Sequence, residues 1–381
     1  MTPSNPMPPS LSRKALFGLE APIRVLWNAL AEDRACGSYM LKGPMGVGKT
    51  ALALAFGKAA ACLAPNTQPY DACDDCASCR RATAGTQPEI VLVRPSGAQT
   101  QIWQFWDREG KPPGLLERTL AFAPTIGARR VYIIERADTL NEAAANSLLK
   151  VLEEPPPYAV FLLLTPNVDR VLPTVRSRCQ TITLRPADQD ALAVWIAERY
   201  GLPDGRAMQI AALAEGRTGA AVELASDENA IGEIRQCADV AIQLARSSPL
   251  EALRAAEAIR KVAAGLEILG VSAAGNMEQA DSASGAGKQR IDRGRIGVVL
   301  DILASAFRDI LVLSLDAGAH RIIHEDHRAA LADCAHGSSS RRWIAAIDAI
   351  VRARRRLERN VSPQLVTDWL AMATADQRSS S

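Results

Sequence analysis

The sequence predicts an α/β domain built on a parallel sheet, followed by all-helical domains. Three observations carry this prediction. Short, continuously apolar runs, such as Val131–Ile134 and Val160–Leu164, alternate with helical segments, as is typical of buried parallel strands. A glycine-rich phosphate-binding motif, Gly43–Thr50, follows the first apolar run. From Pro186 onward, the hydrophobic residues recur at helical spacing.

Length and composition exclude several classes of protein. The chain has 381 residues, 48% of them hydrophobic and 4% aromatic, which allows two or three domains rich in Ala/Leu helices. A net charge of +2 does not by itself indicate a nucleic-acid-binding protein. No apolar run reaches about 18 residues, so no membrane span is expected. Residues 1–14, which begin Pro-rich and lack the apolar centre of a signal peptide, are predicted to be a flexible tail of a cytoplasmic protein.

The other elements of the α/β domain are predicted from the spacing of hydrophobic residues and from residues that cap or end helices. Residues 15–36 are predicted to be helical, because leucines and isoleucine recur at three- and four-residue spacing. Asn141 is predicted to cap a helix over 142–154 that the following prolines end. Trp103 and Trp106 are expected to pack an amphipathic helix within 99–122 rather than to stack on bases. Further strands are predicted at 39–41, 90–93, 131–134 and 160–164.

The motif G-x-x-x-x-G-K-[ST] predicts a nucleotide site, with ATP or ADP and Mg²⁺ as its ligands. An apolar strand precedes it and a helix over 51–62 follows, so successive backbone N–H groups and a helix N-terminus face a phosphate. The lysine of the motif reaches the β- and γ-phosphates, and the threonine hydroxyl binds the metal. The predicted nucleotide-binding residues of the loop are Gly43, Gly46, Gly48, Lys49 and Thr50.

Four of the eight cysteines are clustered as Cys62-x10-Cys73-x2-Cys76-x2-Cys79. This spacing fits tetrahedral Zn²⁺ held by four thiolates, and such a site is structural because it leaves no coordination position open. The zinc module, residues 62–79, is too small for a core of its own and would depend on the metal. Four incidental cysteines and an iron–sulfur cluster remain the alternatives.

The end of the strand over 131–134 departs from that of a hydrolysing ATPase. In phosphate-loop ATPases an Asp at this place helps to hold Mg²⁺. Here the chain continues with Glu135 and Arg136. A glutamate can still reach the metal, whereas arginine does not deprotonate in proteins and cannot act as a general base. The loop is intact, and the hydrolytic machinery is not.

The phosphate loop, the four cysteines, the stretch Ala144–Pro156 and Ser177-Arg178-Cys179 together resemble the AAA+ clamp loaders of bacterial DNA polymerase III. Within that family the chain is similar to the non-motor delta-prime subunits. The similarity is strong over residues 16–225 and continues more weakly to Leu365. It implies an AAA+ domain over 15–186, a helical lid over 187–245 and a helical collar over 246–381, with a flexible loop at 272–290.

The resemblance also implies roles for individual residues. Arg178 would be donated across an interface to the ATP of a neighbouring subunit. Glu135 and Thr165 would line the chain's own nucleotide site, at the ends of their strands. The arginine with which motor subunits sense the γ-phosphate aligns with Gly219, although a shifted alignment places Arg217 there. Little or no intrinsic ATPase activity is therefore expected of this chain, as a subunit of the DNA polymerase III holoenzyme.

The partners implied are the motor subunits, the delta subunit, the sliding clamp and primer-template DNA. Three rival functions remain. The chain could be an ATP-hydrolysing motor of the gamma/tau type, a free-standing nucleotide-binding switch, or a DNA-binding zinc protein.

The last domain contains a cluster of five arginines. We predict that they form a solvated or inter-subunit helix face rather than a DNA contact; they are Arg352, Arg354, Arg355, Arg356 and Arg359.

His320, His324 and His327 fall at helical spacing in the same domain, with Cys334 nearby. They predict a hydrated surface helix, and a second metal site is the alternative.

Overall fold

The computed structural model describes residues 12–35, 37–67, 69–97, 99–227, 229–266, 293–315, 322–336, 338–359 and 361–376. The predicted loop 272–290, His320 and most of the predicted tail 1–14 lie outside these residues. Internal contacts divide the chain into two compact units. The first comprises residues 1–195 with 214–222, and the second comprises 196–213 with 223–381.

The first unit is built on a five-stranded parallel sheet. Its strands are β1 (Gly37–Lys42), β4 (Ile90–Val93), β5 (Arg130–Ile134), β6 (Ala159–Thr165) and β7 (Gln180–Thr183), in the order β4-β5-β6-β1-β7. Two further strands, β2 (Asn66–Thr67) and β3 (Tyr70–Asp71), form a separate antiparallel hairpin. Every residue of β5 and β6 is buried, which is why these two segments read as continuous apolar runs.

Helices cover both faces of this sheet and form two cores. They are α1 (Glu20–Ala31), α2 (Lys49–Ala60), α3 (Ala77–Thr83), α4 (Glu142–Glu153) and α5 (Pro173–Arg176). Val131 and Ile133 of β5 face the core that contains α1 and α2, whereas Tyr132 and Ile134 face the core that contains α4. This alternation follows from the two-residue period of a strand.

The rest of the chain is helical in the described residues. The helices are α6 (Gln189–Tyr200), α7 (Asp204–Leu213), α8 (Thr218–Ser226), α9 (Ala230–Arg246), α10 (Ala252–Gly265), α11 (Arg293–Ser314), α12 (Arg328–Ala335), α13 (Ser340–Glu358) and α14 (Pro363–Asp376). In α11, Val299, Leu303, Phe307 and Ile310 are buried. The predicted architecture, an α/β core on a parallel sheet followed by helices, is confirmed. The division of the helical part at residues 187, 245 and 246 stays a prediction.

The prediction of an amphipathic helix within 99–122 was wrong. The segment contains only a short 3-10 turn, Ile102–Gln104, and its residues Pro112 and Pro113 lack the amide donors that a helix needs. Trp106 nevertheless packs against the core.

The predicted histidine-bearing helix is also wrong in the described part of the chain. Asp309 of α11 accepts hydrogen bonds from the backbone N–H groups of Ile323 and His324, at 2.9 and 2.8 Å, which holds this segment outside a helix. His324 is buried with its Nε2 2.8 Å from Ser305 Oγ, and burial lowers its pKa to about 4. His327 instead pairs with Asp239, so the two rings have different partners.

Arginines of α13 contact residues of the same unit. Arg356 lies over the ring of Trp369 in α14, with 3.7 Å from its guanidinium carbon to the ring centroid, and Arg352 lies over the same ring at 5.8 Å. Arg354 pairs with Asp301 of α11 at 3.2 Å. Three of the five arginines therefore have packing partners within the unit, which argues for a structural rather than a DNA-binding role.

Candidate functional site

The phosphate loop connects β1 to α2. Gly46 and Gly48 adopt φ angles of 74° and 101°, in the left-handed region that residues with a Cβ rarely enter. Gly48 precedes the first residue of α2, so the loop ends at the helix N-terminus. This is the local geometry that turns backbone N–H groups towards an anion.

Lys49 is folded back onto the loop. Its Nζ donates hydrogen bonds to the carbonyl oxygens of Gly43 and Pro44, both at 2.7 Å. The residue is only 8% exposed. Burial lowers the pKa of the Lys49 ammonium to about 8, while the carboxylate of Asp138 acts in the opposite direction. A bound phosphate would replace the two carbonyls as the partner of this ammonium group.

The end of β5 lies against the same loop. Thr50 Oγ1 donates to Glu135 Oε1 at 2.9 Å, and Arg94 Nε lies 3.2 Å from Glu135 Oε2. The carboxylate of Glu135 therefore adjoins the hydroxyl that would bind Mg²⁺, and Arg94 neutralises it. Arg136 adopts a left-handed backbone, φ 52°, and pairs with Asp138 at 3.2 Å.

Thr165, at the end of β6, completes this edge of the sheet. Its Oγ1 lies 2.9 Å from the carbonyl oxygen of Asn167 and 3.5 Å from Asp138 Oδ1. Lys49, Thr50, Glu135 and Thr165 are thus brought together at the carboxyl ends of the strands. Sequence reasoning did not find the parts played by Arg94 and Asp138. Arg94 comes one residue after β4, and Asp138 comes four residues after β5. Their positions just after strands of the sheet were the sequence signal that could have identified them.

The segment at the start of α8 packs directly on the phosphate loop. The N–H of Ala220 donates to the carbonyl oxygen of Gly46 at 2.9 Å. A Cβ on Gly219 would lie 2.7 Å from that same oxygen and 3.4 Å from the nitrogen of Gly48. The position that aligns with the sensing arginine of motor subunits therefore has no space for a side chain in this arrangement. Arg217 instead bonds to the carbonyl of Ala214.

The four predicted cysteine ligands converge at the other end of α2. Their Sγ atoms all lie within 4.8 Å of one another, with separations of 3.5 Å for Cys62–Cys73, 3.6 Å for Cys62–Cys79 and 3.9 Å for Cys62–Cys76 and Cys73–Cys79. Zn–S bonds of about 2.3 Å in a tetrahedron place sulfur atoms about 3.8 Å apart. The donor set and its spacing therefore fit a four-coordinate metal.

The elements around the cluster hold the thiols in place. Cys62 follows α2, Cys73 follows the β2–β3 hairpin, and Cys76 caps α3 by accepting from the N–H of Cys79. Ser78 anchors α3 by donating to the carbonyl of Ala61 at 2.6 Å.

Three of these cysteine thiols have shifted pKa values. Burial opposes ionisation of Cys76, but hydrogen bonds from the backbone amides of Leu63 and Cys79 and from the neighbouring thiols lower its pKa to about 6. Burial raises the pKa of Cys62 and Cys79.

Arg178 lies at the amino-terminal ends of the strands, whereas the phosphate loop lies at their carboxyl ends. It follows α5 and comes two residues before Gln180, the first residue of β7. Gln180 is paired with Tyr39 and Thr183 with Lys42, so β7 runs towards the phosphate loop and Arg178 stands at its far end. Its side chain is 30% exposed and pairs with Glu153 at the end of α4. Arg176 pairs with Asp169 at 3.3 Å.

In the described residues, no helix is long and apolar enough to cross a membrane.

Comparisons with known proteins give sequence matches over the α/β unit. The family model described as DNA polymerase III, delta subunit, matches residues 18–188. DNA polymerase III subunit delta' of Bacillus subtilis is 32% identical over 170 residues, which is 45% of this chain and 48% of that protein. The delta' subunit of Pseudomonas aeruginosa is 34% identical over 182 residues, 48% of this chain and 52% of that protein. Residues 18–188 are therefore similar to the delta' subunits of bacterial DNA polymerase III.

This similarity does not separate motor from non-motor subunits. DNA polymerase III subunit tau of Bacillus subtilis is also 30% identical over 207 residues, 53% of this chain and 35% of that protein. The chain covers about half the length of the delta' relatives it matches. The family-model match is confined to the α/β unit, and the activity of the whole chain is argued from its residues.

Proposed function

We propose that this chain is a non-motor subunit of a bacterial clamp loader that supplies Arg178 to the ATP site of a neighbouring motor subunit. In this role it assists the loading of a sliding clamp onto primer-template DNA during replication. The observation that carries the proposal is that Arg178 lies at the amino-terminal ends of the strands, away from the chain's own phosphate loop at their carboxyl ends.

The distance along the strands between Arg178 and the phosphate loop supports a role for Arg178 at a neighbouring subunit. Strand β1 runs from Gly37 to Lys42, and the phosphate loop begins at its carboxyl end. At about 3.3 Å per residue, five steps along a strand cover about 16 Å. This is longer than an arginine side chain, which supports a role for Arg178 at the nucleotide of a neighbouring subunit. A guanidinium supplied to a neighbour's γ-phosphate stabilises the transition-state charge and can raise the rate about 10³–10⁵-fold.

The chain's own nucleotide site supports binding without hydrolysis. The loop retains Lys49 and Thr50, but Arg136 stands where an acidic residue would polarise the attacking water, and arginine cannot accept that proton. The position that aligns with the cis sensing arginine is Gly219, which is packed against the loop, and Arg217 bonds to the carbonyl of Ala214. ATP or ADP with Mg²⁺ would then stabilise the fold by ligand linkage and would not be turned over.

Zn²⁺ is the proposed occupant of the cysteine cluster. Four thiolates suit zinc and leave no position for a substrate, so the metal's part is to hold α3 and the β2–β3 hairpin against the end of α2. The proposed partners are motor subunits, a delta subunit and the sliding clamp. DNA would be contacted collectively and mainly through its phosphates.

The test is ATP turnover by the reconstituted loader with its clamp and primed DNA. The variants are Arg178→Ala, Lys49→Ala and, as a control, Arg118→Ala, which removes an exposed arginine elsewhere in the same unit. Each must first be shown by size-exclusion chromatography to assemble. Arg178→Ala should slow turnover about tenfold or more. Lys49→Ala and Arg118→Ala should leave turnover within about twofold of wild type.

The rival function, an ATP-hydrolysing motor of the gamma/tau type, predicts the reverse. A severe loss with Lys49→Ala and normal turnover with Arg178→Ala would establish that the chain hydrolyses its own ATP. Substantial turnover by the isolated chain would lead to the same conclusion.

A further inference from the structure

We propose that Glu153 is a positioning residue for Arg178. Its carboxylate engages one edge of the guanidinium, so that one N–H on each terminal nitrogen can serve an oxyanion. The inference rests on the proposed function, because it concerns how Arg178 is presented to the neighbouring nucleotide.

Two residues engage all three nitrogens of the Arg178 guanidinium. Nε and Nη2 lie 2.9 and 2.8 Å from the same oxygen, Oε2 of Glu153. Nη1 donates to the carbonyl oxygen of Thr174 in α5 at 3.1 Å. These acceptors constrain the side chain from two sides, so the guanidinium plane is defined before any partner arrives.

The donors that remain match the needs of a phosphate. A guanidinium has five N–H groups. Three are used by Glu153 and Thr174, which leaves one on each terminal nitrogen. A pair of N–H donors on the two terminal nitrogens binds two oxygens of a phosphate in a bidentate manner. Arg178 can therefore reach an oxyanion without releasing Glu153.

Glu153 is held on a rigid support. It is the last residue of α4, which Asn141 caps and which buries Leu148 and Leu152 in the core. Ser38 of β1 donates to the carbonyl of Leu152 at 3.1 Å, which ties the end of α4 to the sheet. The C-terminal end of a helix also attracts a cation, and this adds to the pull on Arg178.

The pair contributes to positioning more than to stability. Glu153 is 59% exposed and Arg178 is 30% exposed, and ion pairs between exposed residues add little to folding. An unrestrained arginine, in contrast, loses rotamer freedom each time it binds a phosphate. Ordering it in advance reduces that loss, so the effect should appear in the catalytic rate of the neighbouring site.

Steady-state ATP turnover by the reconstituted loader tests the inference. Glu153→Gln removes the charge but keeps the size of the side chain, and Glu153→Asp keeps the charge but shortens it. Glu154→Gln, one residue further along, is the matched control. We expect Glu153→Gln to lower kcat about three- to tenfold without changing KM or assembly. Glu153→Asp should recover part of the loss, and Glu154→Gln should behave as wild type.

A double variant separates positioning from a structural role. If Glu153 acts through Arg178, adding Glu153→Gln to Arg178→Ala should cause no further loss of turnover. A further loss in that background, or wild-type turnover by Glu153→Gln when Arg178→Ala is impaired, would overturn this inference alone. Normal turnover by Arg178→Ala would instead overturn the proposed function and this inference with it.

Discussion

Helix α2 has a candidate ligand site at each end, and the two sites differ in what completes them. At its N-terminus, the phosphate loop is engaged by protein groups: carbonyls bind Lys49, Glu135 binds Thr50, and Ala220 binds Gly46. At its C-terminus, four cysteine Sγ atoms lie within 4.8 Å of one another. The loop is supported by hydrogen bonds from its own chain, whereas the cysteine cluster in the proposed function is held together by a metal.

This comparison bears on the proposed function. A phosphate loop whose polar groups are satisfied by the protein can stay folded without nucleotide, which is compatible with the proposed role without ATP hydrolysis. Four closely spaced thiolates repel one another unless a cation joins them. Removing ligand should therefore affect the two ends of α2 very differently.

Removal of the metal should have the largest effect. Cys79→Ser should lower bound zinc from about one per chain to near zero and expose the module 62–79 to proteolysis, because structural zinc binding is worth about 10 kcal/mol or more. Metal analysis and limited proteolysis measure both results. Cys334→Ser, a thiol outside the cluster, is the control. A wild-type metal content near zero after anaerobic, reducing purification would contradict the zinc assignment, and bound iron would indicate a cluster instead.

Lys49 should make stability depend on pH at the other end of α2. Its pKa is about 8 in the folded chain, against 10.5 for an ordinary lysine, so between these values the unfolded chain binds a proton that the folded chain releases. Wild-type stability should therefore rise from pH 8 to 10.5 relative to Lys49→Met, by at most about 3 kcal/mol. Urea unfolding across this range measures the difference. Lys150→Met controls for the loss of one positive charge, and parallel curves for wild type and Lys49→Met would refute the prediction.

Gly219→Ala tests whether the start of α8 is seated on the loop. The new Cβ would lie 2.7 Å from the carbonyl oxygen of Gly46, so the helix or the loop must move. We expect a loss of about 2 kcal/mol in the free energy of unfolding. Gly232→Ala, where a Cβ meets no atom within 4 Å, is the matched control and should be neutral or stabilising. Equal stabilities of the two variants would show that the loop is not closed by α8.

Thr50→Val should have the smallest effect. It removes the hydrogen bond to Glu135 but leaves the ion pair between Glu135 and Arg94, so unfolding should become easier by about 1 kcal/mol. Thermal unfolding without nucleotide measures the change. Glu135→Gln keeps an acceptor for Thr50 and should cost less than this. A larger loss than that of Gly219→Ala would mean that the Thr50–Glu135 bond, and not helix packing, supports the loop.

Local chemistry explains which parts of the fold were predictable. The strands β5 and β6 were predicted because both of their faces are buried, which requires unbroken apolar runs. The helix after Asn141 was predicted because its cap is a local contact: the side chain accepts from the N–H of Ala144 at 2.8 Å. The segment 99–122 was misjudged because its two tryptophans favoured a helix, while its prolines and long-range backbone contacts prevented one.

The sequence by itself determined the identities of the chemical groups: a phosphate loop, four thiols at ligand spacing, and an arginine between a serine and a cysteine. These depend on residues close together in the chain, where spacing limits the geometry. Only the tertiary structure decided their relations. The register of β7 on β1 places Arg178 at the end of the strands away from the loop. The end of α4 brings Glu153 to Arg178, and the start of α8 contacts the loop through the hydrogen bond from Ala220 to Gly46. Such contacts join residues far apart in sequence, and they form only when burial of the shared core brings their elements together.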